Sequence, residues 1–332
     1  SNTAVGSFAL DANTTASSNT AIGAAALGAN TTGTQNVAVG NGALDASNAN
    51  NNTAVGYNAA GANTTGVLNT VVGSEAFATN TTGGYNTAVG QNALNANTTA
   101  SNNSAFGQSA LAANTTGEYN TAVGRQALTA VTTASSNTGV GYFAGGAITT
   151  GAQNTAVGHV ALGGNTTGNS NVAIGWKSQQ VASTCSNNTS VGDSSLRYVT
   201  TGSSNTSIGA FSGDAITTAD DCTAVGKHAL SSNTTGSFNV AVGSDALRDN
   251  TTSTNNVAMG VNAALTSTGG NNVAIGNNTF RGTSNAGANC TAVGYNALNA
   301  NTTGSVNVAV GSLALDANTT GIRNSALGYD AM

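Results

Sequence analysis

A metal centre or a nucleophilic site in this chain would have to be built from two histidines, His159 and His228, three cysteines, Cys185, Cys222 and Cys290, and a thin scatter of acids. A protein metal site needs several ligands converging at ~2 Å from the ion. The histidines stand far apart, each just after a recurring glycine and with no ligand-type neighbours, so they read as exposed side chains. Asp220 and Asp221, with Asp214 nearby, could attract a cation; solvated turn acids are the simpler reading. No acidic residue recurs with the regularity that a calcium-binding β-roll requires. Neither a Ser/His/Asp arrangement nor paired carboxylates with useful spacing occurs. The expectation is a non-enzyme without cofactor or metal.

Aromatic residues offer a different chemistry. Tyr57, Tyr142, Trp176, Tyr295 and Tyr329 each directly follow a recurring glycine, at a position otherwise polar or small. Exposed rings there could stack on sugar faces or anchor a protein receptor. Tyr57, Tyr142, Trp176 and Tyr295 are therefore the candidate surface-binding residues. Asn-Thr-Thr segments such as Asn30-Thr31-Thr32 match the N-glycosylation pattern. They recur because one turn recurs, and they read as turns in which Asn and Thr bond their own backbone.

These residues are positioned by a repeat. A pentapeptide, Asn2-Thr3-Ala4-Val5-Gly6 in its first copy and Asn324-Ser325-Ala326-Leu327-Gly328 in its last, occurs twenty times. Sixteen of the nineteen glycine-to-glycine intervals are 17 residues, two are 16 and one is 18. The three irregular intervals lack Asn-Thr-Thr, so length changes are expected in that turn. The unit is too short for a helical pair and has no 3.6-residue stripe. A short Thr/Val segment ending in Gly reads as a strand and a turn; Ala26-Leu27 and its equivalents then read as the start of a second extended segment. One unit is thus one coil of a parallel β-solenoid or β-roll. About twenty coils at ~4.8 Å each make a rod roughly 95 Å long. A single coil cannot bury its apolar side chains, whereas stacked coils share a core.

Alternation along the strand assigns the residues to two faces. The Val5 column is apolar throughout and is expected to point inward, with Thr3 on the same face. The Ala4 and Gly6 column then points outward. Its sixteen alanines, with Val71, Gly139, Ser190 and Ser207, include no long polar residue. That implies close cover by other copies of the chain, with Ala4, Gly6, Ala21, Gly23, Ala38 and Gly40 on the packing face. The Asn2 column has eighteen Asn, plus Cys222 and Cys290, and predicts an amide ladder along the stack.

Composition narrows the function classes. Charged residues make up 6%, proline is absent and the net charge is −5. Seven scattered Lys and Arg form no basic stripe, which argues against nucleic-acid binding. No run of 18 apolar residues predicts membrane insertion. Cys222 and Cys290 lie four coils apart, roughly 19 Å, beyond the ~7 Å that a disulfide spans. The cysteines therefore read as small buried thiols. The unbroken repeat predicts a single elongated domain over residues 1–332, a segment of a longer fibre protein.

Asn171-Val172-Ala173-Ile174-Gly175 and Asn272-Val273-Ala274-Ile275-Gly276 resemble the head repeat of YadA-type trimeric autotransporter adhesins. The longer unit, with Asn114-Thr115-Thr116-Gly117 before Asn120-Thr121-Ala122-Val123-Gly124, is similar to repeats in phage tail-fibre and other surface fibre proteins. The resemblance spans the whole chain. It implies a left-handed parallel β-roll assembled as a homotrimer, in an extracellular fibre on a cell surface or virion that contacts a glycan or protein receptor. The adhesin repeat is usually a few residues shorter, and it supplies no catalytic residues. The alternatives are a self-polymerising filament subunit and, lower, an ice-binding solenoid motivated by the Thr ladders.

Overall fold

The computed structural model describes residues 1–282 and 285–332, in two compact units, Ser1–Gly168 and Asn169–Met332. Each unit is a parallel β-solenoid with ten three-residue strands. The first runs from β1 (Thr3–Val5) to β10 (Thr155–Val157) and the second from β11 (Val172–Ile174) to β20 (Ser325–Leu327). No helix occurs among the described residues. Within a unit successive strands pair in parallel and in register, as in Thr87 with Ser104, Ala88 with Ala105 and Val89 with Phe106. The irregular intervals keep this register: Val39 pairs with Val55, Met259 with Ile275, and Ile275 with Val293. Length changes are thus absorbed outside the strand, as the sequence predicts.

The faces of the strand are reversed from the sequence expectation. The central residue points into the coil: Ala21 and Ala38 are wholly buried by the chain's own coils. Gly23 and Gly40 are half-buried at the corner; Ala4 and Gly6, in the first coil, are exposed. Smallness in the alanine column therefore reflects a narrow interior, not cover by a sister chain. Gly139 shows how narrow: a Cβ there would lie 2.8 Å from Leu128 Cγ. The Val5 column, expected inside, faces out.

Ala-Leu does not begin a second strand either. Ala93 and Leu94 are adjacent and both fully buried, whereas neighbours in a strand point to opposite faces. The backbone resolves this by curling. Asn92 and Leu94 both adopt left-handed φ, 56° and 51°, so the segment winds as consecutive turns that bring Ala and Leu inward together. Left-handed backbone costs a residue with a Cβ roughly 1 kcal/mol or more, and burial of Leu, worth ~2 kcal/mol, offsets it in coil after coil.

Two asparagine ladders satisfy the polar interior. In the first, Asn120 Oδ1 accepts the Asn137 N–H at 3.0 Å while Asn120 Nδ2 donates to the Ala134 carbonyl at 2.9 Å. In the second, the Asn of Asn-Thr-Thr folds onto its own turn: Asn80 Nδ2 donates to the Gly83 carbonyl and to Asn63 Oδ1, and Asn80 Oδ1 accepts the Gly83 N–H. The first ladder is the one the sequence predicts. In the second unit serine enters the core. Ser190 Oγ lies 2.5 Å from Ser178 Oγ and accepts from Gln179 Nε2 at 2.8 Å. Ser178 and Ser190 thus arrive with partners.

Candidate binding surface

The corner glycine, with φ near +130°, turns the chain so that the next residue projects from the coil. The predicted aromatics lie there and are exposed: Tyr57, Tyr142, Trp176 and Tyr295 each leave about half of the side chain to solvent. Tyr57 and Tyr142 belong to the first unit, Trp176 and Tyr295 to the second. Lys177 Nζ sits 4.2 Å from the Trp176 ring centroid, a cation–π contact.

Tyr142 is the member with close neighbours. In-register coils place Arg125, Tyr142 and His159 one above another. Arg125 Cζ lies 5.8 Å from the Tyr142 centroid on one side, and the His159 ring stacks 5.2 Å away on the other. Both faces of Tyr142 are flanked along the stack, so its edge and hydroxyl are what meet solvent. The column continues through Gln108, whose Nε2 donates to Gln91 Oε1 at 3.4 Å. Reading aromatics alone misses Gln91, Gln108, Arg125 and His159. Their signal was the 17-residue interval at the position after glycine.

The remaining candidate residues serve the scaffold. His228 stacks on Phe211 at 5.4 Å. The Asp220 carboxylate accepts the Ser203 N–H at 2.7 Å, tying two connectors together. Burial raises the Asp214 carboxyl above the ordinary range. Among the described residues no cluster of three His, Cys, Asp or Glu could hold a metal. No helix among them is long and apolar enough to cross a membrane. Asn80 and its equivalents from Asn30 to Asn301 are fully buried, which puts the Asn-Thr-Thr pattern out of reach of glycosylation there in the folded chain, while Asn13 and Asn318 in the end coils are half-buried.

All three cysteines are free and buried. Burial pushes the Cys185 and Cys222 thiols from 9.0 up to about 11, and raises Cys290. A thiol, not a thiolate, is then present at neutral pH, and nucleophilicity belongs to the thiolate. A disulfide reagent is expected to label none of them until the chain unfolds; rapid labelling of the native protein would contradict this. The sign for stability follows. An unfolded thiol releases its proton near 9.0 while the folded one holds it to about 11, so stability is full below 9.0 and falls as pH rises through that window. Denaturation midpoints at stepped alkaline pH, for the native chain against a triple Cys→Ala variant, measure the difference.

No protein-family model matches the chain, and no curated protein does.

Proposed function

We propose that this chain is a non-enzymatic adhesive fibre segment, displayed outside a cell or on a virion, whose copies pack side by side through the outward face of the strand. One observation carries this reading. In each unit the outward column, from Val5 to Val157 in the first and from Ile174 to Leu327 in the second, is half-exposed or exposed at all ten positions, and none of its residues is polar. Solvent-facing strand positions ordinarily admit Lys, Glu or Gln, and a long apolar strip left in water is an association site. The occupant is another copy of this chain. Only a surface with the same ~4.8 Å rung spacing can interdigitate with the strip over its length. The resemblance to trimeric adhesin heads favours three chains and a left-handed roll. The partner face thus differs from the alanine face expected from the sequence.

Native mass spectrometry tests the proposal. The native chain is expected to be trimeric, and the variant Val72→Lys/Val89→Lys/Val123→Lys monomeric with an unchanged circular-dichroism spectrum. A native chain that is monomeric at micromolar concentration would sink the proposal. Open-ended fibres by electron microscopy would favour the filament alternative.

A second reading rests on the same face. Thr and Val columns emerge side by side from one sheet, as Thr121 and Val123 do, which is the regular array an ice-binding surface needs. Thermal hysteresis in the native chain, lost in the lysine variant, would favour it.

A further inference from the structure

We propose that the column Gln91, Gln108, Arg125, Tyr142, His159 is a binding track for a linear acidic glycan lying along the solenoid axis. The proposal rests on the adhesive reading and names its receptor class.

Five consecutive coils of the first unit carry a long side chain able to hydrogen-bond at the position after the corner glycine. Ser7, Ala24, Asn41 and Ser74 occupy that position elsewhere in the unit, with Tyr57 alone in between. The track is preorganised. The carbonyls of Gln91, Gln108, Arg125 and Tyr142 accept the N–H groups of Ser109, Gln126, Phe143 and Val160 at 2.9–3.1 Å, so each step is fixed to the next coil. Side-chain contacts then align the tips: Gln108 on Gln91, Arg125 over Tyr142, and Tyr142 on His159. Binding costs less when these groups need not be ordered by the ligand.

The chemistry selects the ligand. Both faces of Tyr142 and one face of His159 are flanked within the column, so recognition runs mainly through edges and tips: two amides, a guanidinium, a phenol hydroxyl and an imidazole. These are mainly donors, at a spacing of ~4.8 Å per step, on the scale of one sugar ring. Hydroxyl-rich chains suit such a row. Charge adds the acid. Arg125 is the only Lys or Arg between Ser1 and Gly168. The described ion pairs all belong to Arg248, with Asp245 and Asp249, so Arg125 keeps its fork for a carboxylate. One cation is far too few for a nucleic acid.

The test uses the full chain and a panel of short linear oligosaccharides: glucuronate–N-acetylhexosamine, mannuronate and α2,8-linked sialate, each beside its carboxyl-reduced counterpart. Titration calorimetry is expected to show at least one acidic oligomer bound, with its reduced counterpart at least ~10-fold weaker. Arg125→Ala is expected to lose at least ~10-fold in affinity, and Tyr142→Ala to weaken binding too. Both sites are exposed, so unchanged melting curves are expected for the variants. Failure of every acidic oligomer to bind, equal binding of the reduced forms, or full affinity in Arg125→Ala would each overturn the proposal. Cell adhesion separates the two readings. Equal adhesion by the native chain and an Arg125→Ala/Tyr142→Ala variant overturns the track and leaves the adhesive fibre standing. No adhesion by either overturns both.

Discussion

Gly90→Ala is expected to break the solenoid at one corner, with a loss of about 4 kcal/mol. Two costs add. Gly90 has φ +133°, a region that side chains rarely enter, and a Cβ there would lie 2.5 Å from the Gly107 carbonyl oxygen of the next coil. That oxygen is backbone and its coil is pinned by the Gly107 N–H to the Val89 carbonyl at 2.7 Å, so it cannot give way. Repeat arrays open locally as well as globally, and one melting temperature is an incomplete readout. Hydrogen exchange should show protection lost first at Val89, Phe106 and their neighbours. Gly42 provides the contrast. Its φ is +68° and the nearest atom to a Cβ there is 3.8 Å away; Asn58 occupies the same position in the next coil at φ 51°. Gly42→Asn is therefore expected to change stability by no more than about 1 kcal/mol. Equal effects at Gly42 and Gly90 would show that the corner geometry is wrong.

Asn120→Ala is expected to cost about 3 kcal/mol. The amide accepts the Asn137 N–H and donates to the Ala134 carbonyl, and all of this is buried. Truncation leaves one donor and one acceptor without partners in a site too tight for compensation. Equilibrium denaturation, read together with hydrogen exchange at Asn137, measures the loss. The chain holds its own reverse experiment at Cys222. That residue still donates its N–H to Asn205 Oδ1 at 3.0 Å, and its thiol donates to the Gly236 carbonyl at 3.3 Å. It has no amide oxygen with which to hand the ladder on. Cys222→Asn is expected to gain about 1 kcal/mol. Loss of stability there, with no penalty at Asn120, would remove the ladder from any account of the fold.

Much of the candidate track was legible in the sequence, because the solenoid turns sequence spacing into spatial proximity. Residues 17 apart at one repeat position become neighbours, so Arg125, Tyr142 and His159 could have been placed together before any coordinates. What hides them is their mixed chemistry: Gln, Arg, Tyr and His share a repeat position and not a residue type. Trp176, a candidate of equal standing by residue type, has Lys177 over its ring, a contact within its own coil that spacing between coils does not predict.

The 17-residue period, the parallel in-register stacking, the asparagine ladder and the siting of length changes outside the strand were all determined by the sequence, since each is a property of the repeat. The inward face of the strand was not. Period-two alternation separates Thr3 and Val5 from Ala4, but both sets are compatible with a core, and hydrophobicity favours the wrong one. Tertiary structure decided it through volume: a coil with a single short strand leaves little room beside the buried Leu, so the inward column is alanine, serine or glycine except at the fully buried Val71, which follows the coil where Ala60 stands in place of Leu. Leu94 in left-handed backbone could likewise be settled only in three dimensions, because two adjacent side chains reach one narrow interior only if the backbone curls between them.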